Sequence, residues 1–357
     1  MRNTPVRVTS GGRPTIKDVA AALGVAISTV SNAYNRPDQL SSRLRDEVFA
    51  TAARLGFAGP NPAARGLRRQ SSGQIGVLLG QPLADAFSDH VNVETLEGIA
   101  AVLSASGLGL ALVPERARGG LPVTDGLIAL SPDRSDPMLT GALQHGMPVV
   151  LVDHPAEVGL PAITIGDDVA AGGALRHAAG MGHSRIAIVI DRLGSRSQAG
   201  RVRPAEIARA TRSRTLARLQ GYHTGADAAG LDWPAIPVYA AGVNTEVAGQ
   251  AIAELALLDV PTPTLILCTG DRLAAGVLAA AKLANIDVPS RLSVIGFDDT
   301  PLARTTDPPL TSIRLPHREK GAAAARTLLA SLAGGPIPSP MRVAPKIVVR
   351  GSLRGPN

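Results

Sequence analysis

Cysteine is almost absent from this sequence: among 357 residues, Cys268 is the only one. An intrachain disulfide is therefore excluded, which fits a reducing cytoplasm. Long hydrophobic runs are also missing, since no segment reaches the roughly 18 apolar residues that span a bilayer. Residues 1–14 carry charge but lack the apolar stretch of a signal peptide. We therefore expect a cytoplasmic protein with no membrane partner.

The motifs of common enzyme classes are absent as well. The sequence contains no HExxH, no GxSxG, no P-loop and no cysteine–histidine set with zinc spacing. We interpret His183, in "GMGHSRIAIV", as a structural residue, and the paired acids Asp298 and Asp299 as a strand end rather than an acid/base pair. We predict that the protein is not an enzyme and has no catalytic residue, metal or cofactor.

Positive charge is concentrated at one end of the chain. Residues 1–70 contain 11 basic and 4 acidic residues, whereas the remaining chain contains 25 of each. The whole net charge of +7 therefore lies in the first fifth of the sequence. A basic head on a neutral body indicates a polyanionic partner for the head. The alternative is a basic tail that is merely solvated.

The segment "TIKDVAAALGVAISTVSNAYN" predicts two short helices separated by a glycine turn. The first covers Ile16–Leu23, with Thr15 as N-cap and Asp18 completing a capping box, and Gly24 ends it. The second covers about residues 27–34. A third helix is predicted from Ser41 or Ser42 to Leu55. Two helices joined by a tight turn match the helix-turn-helix plan, whose second helix enters the major groove of DNA.

The second helix has an unusual outer face. Its inner residues are Val25, Val30, Ala33 and Tyr34, while its outer residues carry no charge: Ile27, Ser28, Thr29, Ser31 and Asn32. Small hydroxyls, an amide and a branched apolar side chain suit contacts with base edges. We therefore predict that double-stranded DNA is the partner of this face.

From residue 74 onward, short apolar strands alternate with helical stretches, which predicts parallel sheets with both faces covered. This region has about 260 residues, which is too many for a single six-stranded sheet. The predicted fold class is therefore α/β, with two doubly wound lobes and a cleft between them. The arginine-rich segment 192–214 is predicted as a long surface loop that becomes helical towards Arg218. The predicted segments are a disordered tail (1–12), a helix-turn-helix head (13–59), a hinge (60–73), a two-lobed body (74–340) and a C-terminal strand or tail (341–357).

The sequence resembles the LacI/GalR (lactose-repressor) family of transcriptional regulators. The resemblance begins with "TIKDVAAALGVAISTVSNAYN" and continues through "VFATAARLGFAGPNPAARGL" in the third helix and hinge. In the body it is carried by "RHAAGMGHSRIAIV", "RLQGY", "TLILCTGDRLAAGVL" and "VPSRLSVIGFDDTPLARTTDPPLTSIRLP". It covers residues 13–335 and implies a periplasmic-binding-protein-like body and a homodimer on a near-palindromic operator.

The resemblance also implies which residues contact DNA. In this family a hinge leucine wedges into the minor groove, and the matching residue is Leu67. The predicted DNA contacts are Thr15, Ile27, Ser28, Thr29, Ser31, Asn32, Asn61, Ala64 and Leu67. Ala26 departs from the family, which usually has a Ser or Thr that caps the second helix, although Ser28 or Thr29 could cap it instead.

Family members bind a small effector between the two lobes. The matching positions predict Arg218 and Asp271 as polar effector ligands, although Arg218 could instead form an ion pair on a helix surface. Further candidates for the effector site are Asp153 at a strand end, Phe87 as an apolar wall, and Asn244. Two departures weaken a sugar assignment: Gly270 replaces a common amide residue, and Asn244 stands where some members have a stacking aromatic. The effector stays open among a sugar, a nucleoside and another small polar metabolite.

The sequence therefore predicts an effector-controlled, DNA-binding transcriptional regulator that acts as a repressor. The alternative is a solute-binding protein of a transport system, which would share the lobed body. The basic head and the missing signal peptide oppose that alternative. No leucine heptad follows the body, so no tetramerising coiled coil is expected.

Overall fold

The computed structural model describes residues 14–59, 71–115, 120–133, 135–154, 160–194, 197–336 and 345–356. The chain divides into two compact units, Met1–Ser72 and Gly73–Asn357, which we call the head and the body. The predicted tail and most of the predicted hinge lie outside the described residues. In the part of the chain that is described, no helix is long and apolar enough to cross a membrane.

In residues 14–59, which the structure describes, the head contains three α-helices and one 3-10 turn. They are α1 (Ile16–Leu23), α2 (Ile27–Asn35), the 3-10 turn (Pro37–Gln39) and α3 (Ser42–Leu55). The predicted helices are confirmed, with ends within one residue. The backbone N–H and the hydroxyl of Thr15 both donate to Asp18 Oδ2 at 2.7 Å, and Gly24 ends α1 in the left-handed region at φ 65°.

Small side chains build the core of the head. Its fully buried apolar residues are Val19, Ala20, Val30, Ala33, Val48 and Ala52. Beside them, the Tyr34 ring meets Phe49 and Phe57 edge-on, with ring centroids 5.1 and 6.0 Å apart. Because the fully buried side chains are no larger than valine, the three helices pack closely, and this holds α2 in place against α1 and α3.

The first lobe of the body is built on a five-stranded parallel sheet in the order β2-β1-β3-β4-β5. Its strands are β1 (Gln74–Leu79), β2 (Gly109–Val113), β3 (Gly126–Leu130), β4 (Val149–Val152) and β5 (Ala162–Ile163). The helices between these strands, in the described part of the lobe, are α4 (Leu83–Ser88), α5 (His90–Ala105) and α6 (Pro137–Gln144). Separate apolar clusters cover the two faces of this sheet, as expected for buried parallel strands.

The second lobe has seven strands in the order β12-β11-β10-β9-β6-β8-β7, with β12 and β7 antiparallel at the edges. The strands are β6 (Ile186–Ile190), β7 (Gly200–Arg201), β8 (Val238–Ala240), β9 (Leu265–Cys268), β10 (Ser293–Asp298), β11 (Thr311–Arg314) and β12 (Lys346–Val348). The helices are α7 (Asp167–Gly180), α8 (Pro204–Ile207), α9 (Ser213–Ala228), a 3-10 turn (Trp233–Ala235), α10 (Glu246–Ala256), α11 (Asp271–Leu283) and α12 (Leu302–Thr305). The prediction of two doubly wound lobes is confirmed.

The last helix returns to the first lobe. Helix α13 (His317–Leu332) follows β11 in sequence but packs against α5 on the first sheet. The two helices touch at glycines, since a Cβ on Gly98 would lie 1.9 Å from the carbonyl oxygen of Arg318. The chain therefore crosses between the lobes after β5, after β11 and after α13, so residues distant in sequence meet where the lobes join.

The arginine-rich segment differs in part from its prediction. Instead of one long loop, it contains the edge strand β7 and the single-turn helix α8 before α9 begins at Ser213. Its base is closed, because the backbone N–H groups of Thr211 and Arg212 both donate to the carbonyl oxygen of Leu193 at 2.9 and 3.0 Å. Backbone pairing of β7 with β8 fixes the segment to the sheet edge, a constraint that its polar composition does not reveal.

Candidate functional site

The outer face of α2 is accessible and uncharged. Ile27 is 46% exposed and Ser28 is also exposed, whereas Thr29, Ser31 and Asn32 are half-buried. Thr15, at the start of α1, is exposed as well. An apolar branched side chain next to hydroxyls and an amide offers both methyl contact and hydrogen bonds to base edges.

Helix α2 begins without a side-chain cap. Ala26 occupies the N-cap position, and its side chain makes no capping hydrogen bond. Among the described residues, no capping bond to the hydroxyl of Ser28 or Thr29 replaces it. A free helix N-terminus presents unpaired N–H groups, which suit a DNA phosphate.

Two of the predicted contact residues have partners inside the head. The Asn35 amide donates to the backbone oxygen and the hydroxyl of Ser31 at 2.9 and 3.2 Å, and the Asn32 amide donates to Gln39 Oε1 at 3.4 Å. The sequence did not indicate this contact of Gln39, because Gln39 lies beyond α2, in the 3-10 turn, and outside the helical pattern. The remaining predicted contacts, Asn61, Ala64 and Leu67, lie outside the described residues.

Arg218 is the centre of a buried polar network in the body. Its side chain is 1% exposed and donates to Asp167 Oδ1 at 2.7 Å, to the Thr269 carbonyl at 2.6 Å and to Asp298 Oδ1 at 2.9 Å. The guanidinium also lies 3.7 Å above the centre of the Phe297 ring. These three bonds leave two of its five N–H donors for another acceptor.

Burial disfavours the charged forms of these side chains, and ion pairing favours them. Although burial opposes it, the charge of Arg218 together with nearby His317 holds the pKa of Asp298 well below its usual value. The neighbouring carboxyl of Asp271 lacks such a cation, so burial and the charge of Asp298 raise its pKa to about 7. Asp271 accepts hydrogen bonds from the Thr300 N–H and hydroxyl and from the Ser312 hydroxyl.

Asp153 lies at the end of β4 in the first lobe. Its Oδ2 accepts from Lys320 Nζ at 2.7 Å and from the Ser131 hydroxyl at 3.2 Å. Burial alone would raise its pKa, but the positive charges of Lys320 and Arg214 lower it below the usual value. Asp153 Oδ1 is buried and has no partner among the described residues.

Asn244 helps to close a small cavity at the lobe junction. The cavity measures about 120 Å³, and its lining comprises Ser88, Asp89, His90, Val91, Asn244, Glu246, Asp271, Arg272, Asp298, Thr300 and Leu302. The Asn244 amide lies 3.5 Å from Asp89 Oδ2, while its buried Oδ1 has no partner in the described part of the chain. A Cβ on Gly270 would lie 3.2 Å from that Oδ1, so the glycine leaves room for the amide.

Three of the five predicted cleft residues lie at or next to the cavity, whereas Asp153 and Phe87 are not part of its lining. Asp271 and Asn244 line the cavity, and Arg218 contacts the cavity residue Asp298. The positive charge of Arg214 acts on the carboxylates of both Asp153 and Asp298. Phe87 lies on α4, is 61% exposed and is not part of the cavity lining.

Sequence analysis missed three polar residues of the lobe junction. His317, at the start of α13, places Nε2 3.3 Å from Asp298 Oδ1, and its buried Nδ1 has no partner among the described residues. The buried Ser213 hydroxyl, at the start of α9, likewise lacks one. Although burial and Arg218 oppose it, the carboxylates of Asp298, Asp191 and Asp153 raise the pKa of Arg214. No sequence signal identifies them, since their neighbours come from distant strands.

Cationic and anionic side chains lie next to one another at the lobe junction, as in the pairs of Arg218 with Asp298 and of Lys320 with Asp153. Across the ranges that the structure describes, no group of three or more His, Cys, Asp or Glu residues could hold a metal ion. The fold and these sites define a protein with a helix-turn-helix head and a two-lobed ligand-binding body.

Comparison with known proteins agrees with that class. Residues 15–61 match the family model of the bacterial regulatory proteins of the lacI family, and residues 175–353 match a periplasmic binding protein-like domain. An HTH-type transcriptional regulator of Mycolicibacterium smegmatis is 35% identical, with 96% of this chain and 97% of that protein covered. The HTH-type transcriptional repressor CytR of Escherichia coli is 30% identical, with 95% of this chain and 96% of that protein covered.

Solved structures show the same architecture. A transcriptional regulator of the LacI family from Corynebacterium glutamicum has a TM-score of 0.71 and 30% identity, with 95% of this chain and 98% of that chain covered. The lac repressor dimer bound to operator and the anti-inducer ONPF has a TM-score of 0.75 at 22% identity, over 96% and 99%, and shows the fold alone. This chain belongs to the LacI family and is a DNA-binding transcriptional regulator.

Proposed function

We propose that this regulator represses transcription by binding a near-palindromic operator as a homodimer in the cytoplasm. A small polar effector, sugar-like in its hydroxyl chemistry, binds between the two lobes and changes the operator affinity. The observation that carries this proposal is a set of buried polar atoms at the lobe junction that have no partner among the described residues: Asp153 Oδ1, Asn244 Oδ1, Ser213 Oγ and His317 Nδ1. Buried polar atoms of folded proteins are nearly always paired, so these are places for ligand atoms or water.

The chemistry of these atoms favours hydroxyl groups. A carboxylate oxygen and an amide oxygen need donors, whereas the remaining N–H groups of Arg218 need acceptors. A hydroxyl serves as both. Arg218 is already paired with Asp167 and Asp298, and Lys320 is paired with Asp153. Neither cation is left without a carboxylate partner, which favours a neutral ligand.

The cavity also favours a compact ligand. At about 120 Å³, it is smaller than the roughly 300–1,000 Å³ of sites that hold drug-sized molecules. Aromatic residues make up only 2% of the chain, and an asparagine rather than an aromatic lies at position 244. A nucleoside would lack a stacking partner here, so we favour a monosaccharide-sized polyol.

On the DNA side, we assign the reading of base edges to Ile27, Ser28 and Asn32. Ile27 and Ser28 are exposed at the uncapped start of α2, and Asn32 lies one turn later on the same face. Thr15, Thr29, Ser31, Asn61 and Ala64 would support them, and Leu67 would enter the minor groove. Two heads on one operator require a dimer with matching two-fold symmetry.

The DNA proposal is tested by operator selection. Full-length protein selects from random duplexes, and the bound sequences are read. We expect a near-palindrome, bound by a dimer in analytical ultracentrifugation. Binding without symmetry, or by a monomer, would contradict the dimer assignment.

The effector proposal is tested by thermal-shift screening of the full chain with neutral polyols, nucleosides and phosphorylated sugars, because a ligand that binds the folded state raises Tm. We expect a compact neutral polyol to raise Tm. The variants Asp153→Asn and Asn244→Ala should abolish the shift, whereas Asp227→Asn, an exposed change on α9, should retain it. A shift that survives both cleft variants would refute the site.

A further inference from the structure

One carbonyl oxygen of the first lobe accepts hydrogen bonds from two arginines of the second. Arg192 Nη2 donates to the Gly80 oxygen at 2.7 Å, and Arg212 Nη1 donates to the same oxygen at 2.5 Å. Gly80 follows β1 and approaches the next strand so closely that a Cβ would lie 2.4 Å from the Ser131 oxygen. The acceptor is therefore held rigidly at the strand end.

Further bonds accompany this shared acceptor. Arg192 Nη2 also lies 2.9 Å from Glu115 Oε2, in an ion pair whose side chains are 15% and 8% exposed. The Thr211 hydroxyl donates to Asp133 Oδ2 at 2.7 Å, and Asp133 forms an antiparallel bridge with the backbone of Arg212. All of these contacts join the two lobes.

The three donors act from one rigid base. Arg192 and Arg212 lie near the two ends of the arginine-rich segment 192–214. The backbone N–H groups of Thr211 and Arg212 close the base of this segment by donating to the Leu193 oxygen. Arg212 is also positioned by Asp191, with its Nε 3.7 Å from Asp191 Oδ2. A rigid donor set facing a rigid acceptor loses little entropy when the lobes meet.

We propose that Arg192, Thr211 and Arg212 form a clasp on Gly80, Glu115 and Asp133 that positions the two lobes around the cleft and keeps them closed without a ligand. The chain thus contributes part of the closing free energy that a ligand would otherwise have to supply. Only the consequence for operator binding rests on the proposed function, and the closed state itself does not.

The clasp is tested by measuring the distance between the lobes in the full chain without DNA or ligand. The single cysteine, Cys268, is buried, so cysteines introduced at exposed Gln144 and Thr224 take fluorophores selectively for single-molecule energy transfer. We expect one closed population. In the double variant Arg192→Gln/Thr211→Val, the ratio of open to closed molecules should rise at least tenfold.

A matched control separates the clasp from a general loss of charge. Arg203→Gln removes an arginine of the same segment whose partner, Glu206, lies on the same helical turn, so the ratio should stay unchanged. Circular dichroism and thermal unfolding confirm that each variant is folded. An unchanged ratio in the double variant, an equal change in the control, or an open wild-type chain would overturn the clasp. Failure to find an operator would leave this readout untouched.

Discussion

The head and the body place their functional groups in opposite environments. In the head, a core of alanines and valines is buried, and the groups assigned to DNA reading lie on the outer face of α2. In the body, charged groups such as Arg218, Asp271 and Asp298 are themselves nearly fully buried. The head thus exposes its polar groups, whereas the body buries them within the fold.

This difference determines how each unit responds to change. Removing a side chain from the outer face of α2 should cost a proposed contact with DNA and leave folding intact. Removing one member of a buried network leaves another charge without a partner, which costs folding free energy. Specificity and stability are therefore separable in the head but coupled in the body.

The largest effect is expected at Arg218. Arg218→Met leaves Asp167 and Asp298 buried without their cation and should lower the free energy of unfolding by about 3–5 kcal/mol. Arg43→Met breaks a pair of similar length, 3.1 Å to Glu47, but its side chain is 89% exposed. The free energy of unfolding of that control variant, measured with denaturant, should change little. Equal losses in the two variants would remove the contrast between head and body.

A substitution at Asn32 tests the opposite case, in which DNA affinity changes and stability does not. Asn32→Ala should weaken operator binding by about 1–3 kcal/mol, the range for a good bidentate side-chain contact with a base, while the unfolding free energy changes little. Asn92→Ala replaces a half-buried helical asparagine of the body and serves as the matched control. Titrations of operator DNA at fixed salt give the affinities. A stability loss as large as the affinity loss would argue against a reading role.

Asp271 makes the stability of the body depend on pH. Its pKa is raised from 3.8 to about 7 in the folded chain, so the folded state holds this proton more tightly than the unfolded chain. The contribution therefore favours folding at low pH and declines as pH rises from about 4 towards 7. Asp271→Asn should flatten the dependence of stability on pH by up to about 1 kcal/mol per pH unit. Parallel pH profiles for variant and wild type would contradict this.

The smallest effect is expected at the start of α2. Ala26→Ser supplies the missing cap and should stabilise the head by about 1 kcal/mol, measured by hydrogen exchange of the α2 amides. Ala21→Ser, an exposed change inside α1, provides the control and should destabilise slightly. Unchanged protection of α2 in Ala26→Ser would show that this helix does not need a side-chain cap.

The same contrast explains what the sequence could predict. The helices of the head follow from local signals, such as the capping pair Thr15 and Asp18 and the stop at Gly24, because their partners lie within four residues. The alternation of strands and helices likewise indicated the two lobes. Strand β11 was not predicted, since its polar sequence gives no local sign that it lies inside a sheet.

The polar network of the cleft depends on contacts that no local pattern encodes. Arg218 meets Asp298 across 80 residues, and Asp153 meets Lys320 across 167. Family resemblance indicated Arg218, Asp153, Asn244 and Asp271, but not His317, which reaches the cleft only because α13 returns to the first lobe. The clasp was equally hidden, because Arg192 and Arg212 look like ordinary residues of a polar segment.

The proposed function requires that a ligand in the body change how tightly the head binds DNA. This coupling is measured by an anisotropy titration of the full chain on its selected operator, with and without the polyol that raises Tm. We expect at least a fivefold change in Kd, in the range typical of allosteric coupling, and no change in Asp153→Asn. An operator Kd that is the same with saturating ligand and without it would show that the two sites are not coupled.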